Sequence, residues 1–259
     1  MATPAKRPAL GTLAWATAKE GRLSRREQIR ELAAAARVTL MGAPAQIRQR
    51  LGLPNGSAFA LDPGSLPVPD SSIAKEAEEL CRESSSEMLL NHCLRSYVWG
   101  MILGRRDGLR PDPELLYVAS MLHDLALTDR FREYAPMPCF GARAGLLAND
   151  WARERGWEQV RCSTLADVIS LHLNTAVPAR HGPEAQLLQA GAGLDVIGLR
   201  HWELEPETVA WVLERYPRHA LKATAPQVFE AEAHPRTRSQ LLHRWLLFGS
   251  LTRHSQFRD

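Results

Sequence analysis

From Asp70 onward, apolar residues recur at helical spacing, and no run of four to eight residues alternates between apolar and polar. A half-buried strand needs that alternation, and a fully buried one needs a β-branched run; both are missing here. Asp70 or Ser71 starts a helix to about Arg82, and a longer one follows from Ser86 to Arg105 with Gly108 beyond its end. Asp112 caps the next, with Pro113 at its first position, where the missing N–H costs nothing. That helix is apolar nearly all round, which predicts burial. Further helices are expected at 141–155, 158–173, 184–198, 206–215 and 227–254, the last interrupted near Pro235. The pattern predicts an all-α domain over residues 70–259.

Residues 1–69 read as an N-terminal extension and linker. Residues 1–22 lack a periodic apolar face, which predicts a poorly packed, dispensable segment. Ser24 offers an N-cap with Glu27 three residues later, and helical spacing continues to Gly42. The stretch Pro54–Pro69 carries four prolines and two glycines and reads as a loop.

Composition narrows the function classes. Hydrophobic residues make up 45% and charged residues 24% of the 259, the balance of a globular chain. A net charge of +3 is too even to predict a nucleic-acid or anionic-membrane partner. The expected partner is a small-molecule substrate, and self-association into a homo-oligomer stays open. Cys81, Cys93, Cys139 and Cys162 lie far apart without a C-x-x-C, so they read as reduced thiols. No apolar run approaches a membrane span and no signal-like segment follows Lys6 and Arg7, which together predict a cytoplasmic protein. Phosphate-binding glycine loops and a G-x-S-x-G elbow are absent.

The chemistry-bearing residues are polar side chains embedded in apolar helices: His92, His123 with Asp124, His172 and Asp195. Imidazole and carboxylate together suit a divalent transition metal. Taken singly, each histidine reads first as a core residue bonded to a carbonyl, and only second as a ligand. Adjacent residues on a helix splay by about 100°, so His123 and Asp124 reach one ion only over the helix edge. Arg95, three residues past His92, could clamp an anionic substrate, pair with Asp124 or cover a helix end. Trp99 is a candidate for a pocket wall, and Asp167 for a partner of a ligand histidine. Nothing in the sequence activates Cys93 or Cys139 as nucleophiles.

The order His, His-Asp, Asp on successive helices resembles the HD-domain superfamily of metal-dependent hydrolases. The segments NHCLRSYVWG, LLYVASMLHDLALT, FGARAGLLANDWARERGW, ADVISLHLN and GAGLDVIG are similar to its cyanamide hydratase-like branch, over about residues 68–215. The resemblance implies an HD-type helical bundle over 70–259, with His92, His123, Asp124 and Asp195 as metal ligands. It implies for His172 either a second metal or the substrate, with His181 as a further candidate for a second ion. The metal is expected to be zinc or iron ahead of manganese, cobalt or nickel. The run LALTDRF offers only Asp129 where familiar HD phosphohydrolases carry an acidic pair.

The reaction so implied is attack of a metal-activated water on a small electrophile, such as the nitrile of cyanamide, by a hydrolase or hydro-lyase. Asp124 would serve as ligand and base, and His172 would orient substrate or relay a proton. A phosphohydrolase acting on a nucleotide or phosphate ester is the alternative, and a catalytically silent HD-like binding domain is the third.

Overall fold

Every helix start expected between residues 70 and 113 carries its cap. In this computed structural model, which describes residues 7–51 and 58–259, the Ser71 and Ser86 hydroxyls accept from Ala74 N and Leu89 N, each at 3.3 Å. Asp112 accepts from Glu114 N and Leu115 N at 3.0 and 3.1 Å. These caps open α3 (Ser72–Ser84), α4 (Glu87–Asp107) and α5 (Pro113–Leu122), which follow α1 (Leu13–Lys19) and α2 (Arg25–Arg50). Then come α6 (Phe140–Glu154), α7 (Gln159–Leu171), α8 (Pro183–Ile197), α9 (Pro206–Arg215) and α10 (Leu221–Ala231). The chain closes with α11 (Arg238–Gln240), a π-helical turn over Leu241–Trp245, and α12 (Phe248–Arg253). The fold is all-α; β pairing among the described residues is confined to one bridge between Phe59 and Leu204. Among the same residues, no helix is long and apolar enough to cross a membrane.

The core is built on α4 and α8, which cross at a glycine. A Cβ at Gly191 would collide with the Ser96 carbonyl oxygen and stand 2.9 Å from Gly100 N. The backbones therefore touch, and side chains one turn along from the crossing meet across it. α5 lies behind this pair with every residue from Leu115 to Leu122 buried. α6 and α7 form a second close pair, where Gly145 faces the Ala166 carbonyl.

The N-terminal residues depart from expectation. Residues 1–6, and residues 52–57 within the expected loop, lie outside the described residues. The rest of the 1–22 segment is packed, not loose. Thr12 caps α1, Leu13 N donates to Asp167 Oδ1 at 2.8 Å, and Trp15 and Ala16 are buried. A seven-residue helix is too short for its apolar face to show as a period. Ser24 and Glu27 form the expected capping box, with Ser24 N donating to Glu27 Oε2 at 2.7 Å. α2 then runs past Gly42 and Pro44 rather than stopping. Gly42 serves there as a crossing, since a Cβ would meet the Trp202 ring at 2.8 Å. The expected helix over 227–254 breaks near Pro235 as expected, and beyond it divides further into α11, the π-helical turn and α12.

Candidate metal centre

His92 sits on α4 with its ring buried, and each of its two nitrogens has a different environment. Nδ1 lies 2.7 Å from Asp195 Oδ2, across the α4–α8 crossing. Nε2 faces the end of α5. That helix stops at Leu122, and the backbone turns out of α at Asp124 (φ −112, ψ 6). The turn removes the splay that a continuous helix would impose, so the His123 and Asp124 side chains converge. His123 Nε2 is 3.3 Å from His92 Nε2 and 3.3 Å from Asp124 Oδ2; His92 Nε2 is 3.5 Å from the same oxygen.

This triangle has the dimensions of a metal face. Three ligand atoms at ~2.1 Å from one tetrahedral ion stand ~3.4 Å apart. The donor chemistry agrees. His123 Nδ1 bonds the Ser120 carbonyl at 2.8 Å and His172 Nδ1 bonds the Ile169 carbonyl at 2.5 Å. A carbonyl only accepts, so these Nδ1 atoms carry the hydrogens and their Nε2 lone pairs face the cluster. Two Nε2 atoms 3.3 Å apart need positive charge shared between them, from a metal ion or from a proton on His92. His92, His123 and Asp124 thus form a buried group able to hold a metal ion.

His172 stands at the rim. It is the C-cap residue of α7, and its Nε2 lies 3.6 Å from Asp124 Oδ1, a buried oxygen with no hydrogen-bond partner. Its ring makes an edge contact with His123, centroids 5.0 Å apart.

Asp195 is not in this group, although the sequence reading made it a ligand. Its carboxylate accepts from His92 Nδ1, from Arg95 Nε at 2.6 Å and Nη2 at 3.0 Å, and from Trp99 Nε1 at 3.2 Å. Four donors saturate a carboxylate, leaving no lone pair for an ion. Asp195 orients His92 instead, and Arg218 donates to its main-chain oxygen. Arg95 is likewise no substrate clamp: it is wholly buried, and its Nη1 bonds the Tyr216 and Pro217 carbonyls, both at 2.8 Å. Trp99 lines neither cavity at the cluster; it stacks on Phe257 behind Asp195.

The protonation pattern follows from these contacts. Burial opposes charge on His92, but the bonds to Asp124 and Asp195 outweigh it and hold the imidazole up at about 9. Burial, with repulsion from His123, pushes His172 down to about 3, so it is neutral. Burial raises Asp124 and Asp195, yet His123 for the first and Arg95 for the second bring both well below the usual carboxylate range.

The remaining candidates lie elsewhere. His181 is in the turn Ala179–His181 and lines neither cavity at the cluster. Asp167 holds the start of α1. Asp129 is exposed and pairs with Arg132 at 3.4 Å. All four cysteines are free and buried.

A cavity of about 210 Å³ opens on the cluster, walled by Phe140, Phe229, Leu242, Leu246, Phe248 and Leu251. Asp124 and the histidines supply its only ionisable groups among the described residues; no Arg or Lys lines it. Phe229, Leu242, Leu246, Phe248 and Leu251 of that wall come from the last forty residues, where the sequence reading placed no functional role. Phe229 and Phe248 stack with centroids 4.0 Å apart, a contact between residues 19 positions apart that no spacing in the sequence reveals. A second cavity, about 410 Å³, reaches His92 and Asp124 from another side, past Thr128, Arg130 and Arg132.

No family profile matches the chain. It is similar to two cyanamide hydratases. Both are from Saccharomyces cerevisiae (strain ATCC 204508 / S288c), cyanamide hydratase DDI2 and cyanamide hydratase DDI3. Each is 26% identical over 156 residues, which cover 59% of this chain and 69% of the relative. That likeness, over 59% of the chain, supports the cyanamide hydratase-like branch.

Proposed function

We propose that this chain is a metal-dependent hydratase of the HD type that adds water across the carbon–nitrogen triple bond of a small uncharged nitrile. Cyanamide, which would give urea, is the simplest such substrate. The observation that carries the reading is the triangle of His92 Nε2, His123 Nε2 and Asp124 Oδ2, with edges of 3.3–3.5 Å, at the end of a cavity without cationic walls. The two cyanamide hydratase relatives support it.

A divalent ion in such a triangle lowers the pKa of water toward neutrality and withdraws charge from the electrophile. The residues do the rest. Asp124 Oδ2 faces the cluster while Oδ1, buried and unpartnered, is free to take the proton of the attacking water. His172 Nε2, 3.6 Å from that oxygen and neutral, relays the proton toward the nitrile nitrogen. Asp195 and Arg95 keep His92 in the tautomer that points Nε2 inward. The apolar wall of the first cavity carries no Arg or Lys and suits an uncharged substrate, whereas Arg130 and Arg132 line the second cavity, the side from which a phosphate ester would approach.

The test is elemental analysis and turnover on one sample. Metal-loaded protein should release urea from cyanamide, lose that activity in chelator and ignore phosphomonoesters. Turnover of phosphomonoesters alone would replace the reading with the phosphohydrolase one. A protein that takes up no metal on reconstitution is a silent binding domain.

A further inference from the structure

Cyanamide is a short linear molecule, and the cavity over the cluster is far larger than it needs and mostly apolar. A dry apolar cavity of about 150 Å³ takes up benzene. This one has about 210 Å³, so it holds a ring of that size and still leaves space for a short reactive head. Its walls suit such a body: Phe140, Phe229 and Phe248 offer ring faces and edges, with Phe140 set edge-on to Phe229 at 5.5 Å. Besides the cluster, the polar residues of the wall are Thr39, Asn174, Thr175 and Gln189. Asn174 donates to Leu10 O and accepts from Arg238, and the Thr175 hydroxyl bonds Glu31. The reactive end is fixed by the cluster, where the ionisable groups of the wall gather. Charged substrates find no counter-charge along the remaining wall.

We propose that this cavity takes an uncharged molecule with an apolar body about the size of a benzene ring, so that the substrate is a substituted nitrile, such as an aryl cyanamide, rather than cyanamide itself. The reactive head rests on the hydratase reading; the body rests on the cavity alone. The reaction balances as addition. Water oxygen bonds the nitrile carbon, the triple bond is consumed, both water hydrogens end on the product, and an aryl urea forms with nothing released.

Phenylcyanamide and cyanamide serve as paired substrates for metal-loaded protein, and phenylurea and urea as paired ligands for the chelated protein. Phenylcyanamide should exceed cyanamide in kcat/KM by on the order of 10–10²-fold, the value of burying one ring. Phenylurea should raise the melting temperature of chelated protein while urea at the same concentration does not. Ala192, on the α8 face of the wall, gives the variant. Ala192→Leu should cut both the phenylurea shift and the phenylcyanamide-to-cyanamide ratio about tenfold. The wild-type comparison stands without it should the variant not fold. Cyanamide turnover with no preference for phenylcyanamide and no phenylurea shift overturns the inference and leaves the hydratase reading intact. Absence of turnover with either nitrile overturns the hydratase reading, and the phenylurea shift then decides the apolar site by itself.

Discussion

Arg95 and Asp195 carry opposite charges in a place where neither meets water, and each has every polar atom engaged. Their value lies in holding His92, not in net stability, because desolvation offsets much of the attraction in a buried pair. Removing one partner is a different matter. Arg95→Met should destabilise the protein by about 3–5 kcal/mol, since it strands a buried carboxylate; chemical denaturation of the metal-free protein measures this. The ligands behave differently. Asp124→Ala should lose both metal and turnover. His172→Ala should keep about one metal per chain while kcat falls by about 10²–10⁴-fold, the range of lost acid–base help. A loss of metal in His172→Ala would move that residue into the ligand set. The pH response follows from His92. Its folded value near 9 exceeds the 6.5 of an ordinary histidine. In metal-free protein its contribution is therefore full below 6.5 and lost as pH rises through about 9. The ion competes for the same Nε2 as that proton. The melting-temperature gap between loaded and chelated protein should therefore widen from pH 6.5 to 9, as differential scanning calorimetry across that range would show.

At the scale of helices, the α4–α8 crossing decides whether Asp195 can reach His92 at all. Gly191→Ala places a methyl against the Ser96 carbonyl, and the helices must separate. Overpacking of this kind costs about 1–3 kcal/mol. The variant should also bind metal more weakly, although residue 191 touches no ligand atom, and titration with a metal-competing chelator checks this. The helices from Ser72 to Ile197 were legible because their signals are local. Ser71, Ser86 and Asp112 cap starts, and Gly108 and Gly198 close ends in the left-handed region at φ 69 and 70. The positions of His92, His123, Asp124 and His172 were legible for the same reason, as polar residues in apolar surroundings. The role of Asp195 was not. Its saturation by Arg95 and Trp99 depends on partners about a hundred residues away, which no spacing rule reaches. The extension of α2 through Gly42 depends on Trp202, equally remote in sequence.

For the molecule as a whole, Arg238 ties three distant segments. Its buried guanidinium donates to Gly11 O, Ser170 O and Asn174 Oδ1 at 3.2, 2.5 and 2.8 Å. It also lies over the Trp15 ring, 5.4 Å from the centroid. The N-terminal segment is thus part of the core wall beside α7. Trp15→Ala should cost about 3–5 kcal/mol, and a thermal melt unchanged by that substitution would restore the dispensable extension. The placement of the cavity wall also bears on how the protein matures. A ribosome delivers His92, His123, Asp124 and His172 well before Phe229, Leu246 and Phe248, at about 5–20 residues each second. For some seconds of synthesis the nascent chain can present its ligands to the solvent with no roof above them. The apolar wall is thus the last part of the site to form, while in the finished fold the second cavity still reaches His92 and Asp124 from the side of Thr128 and Arg130.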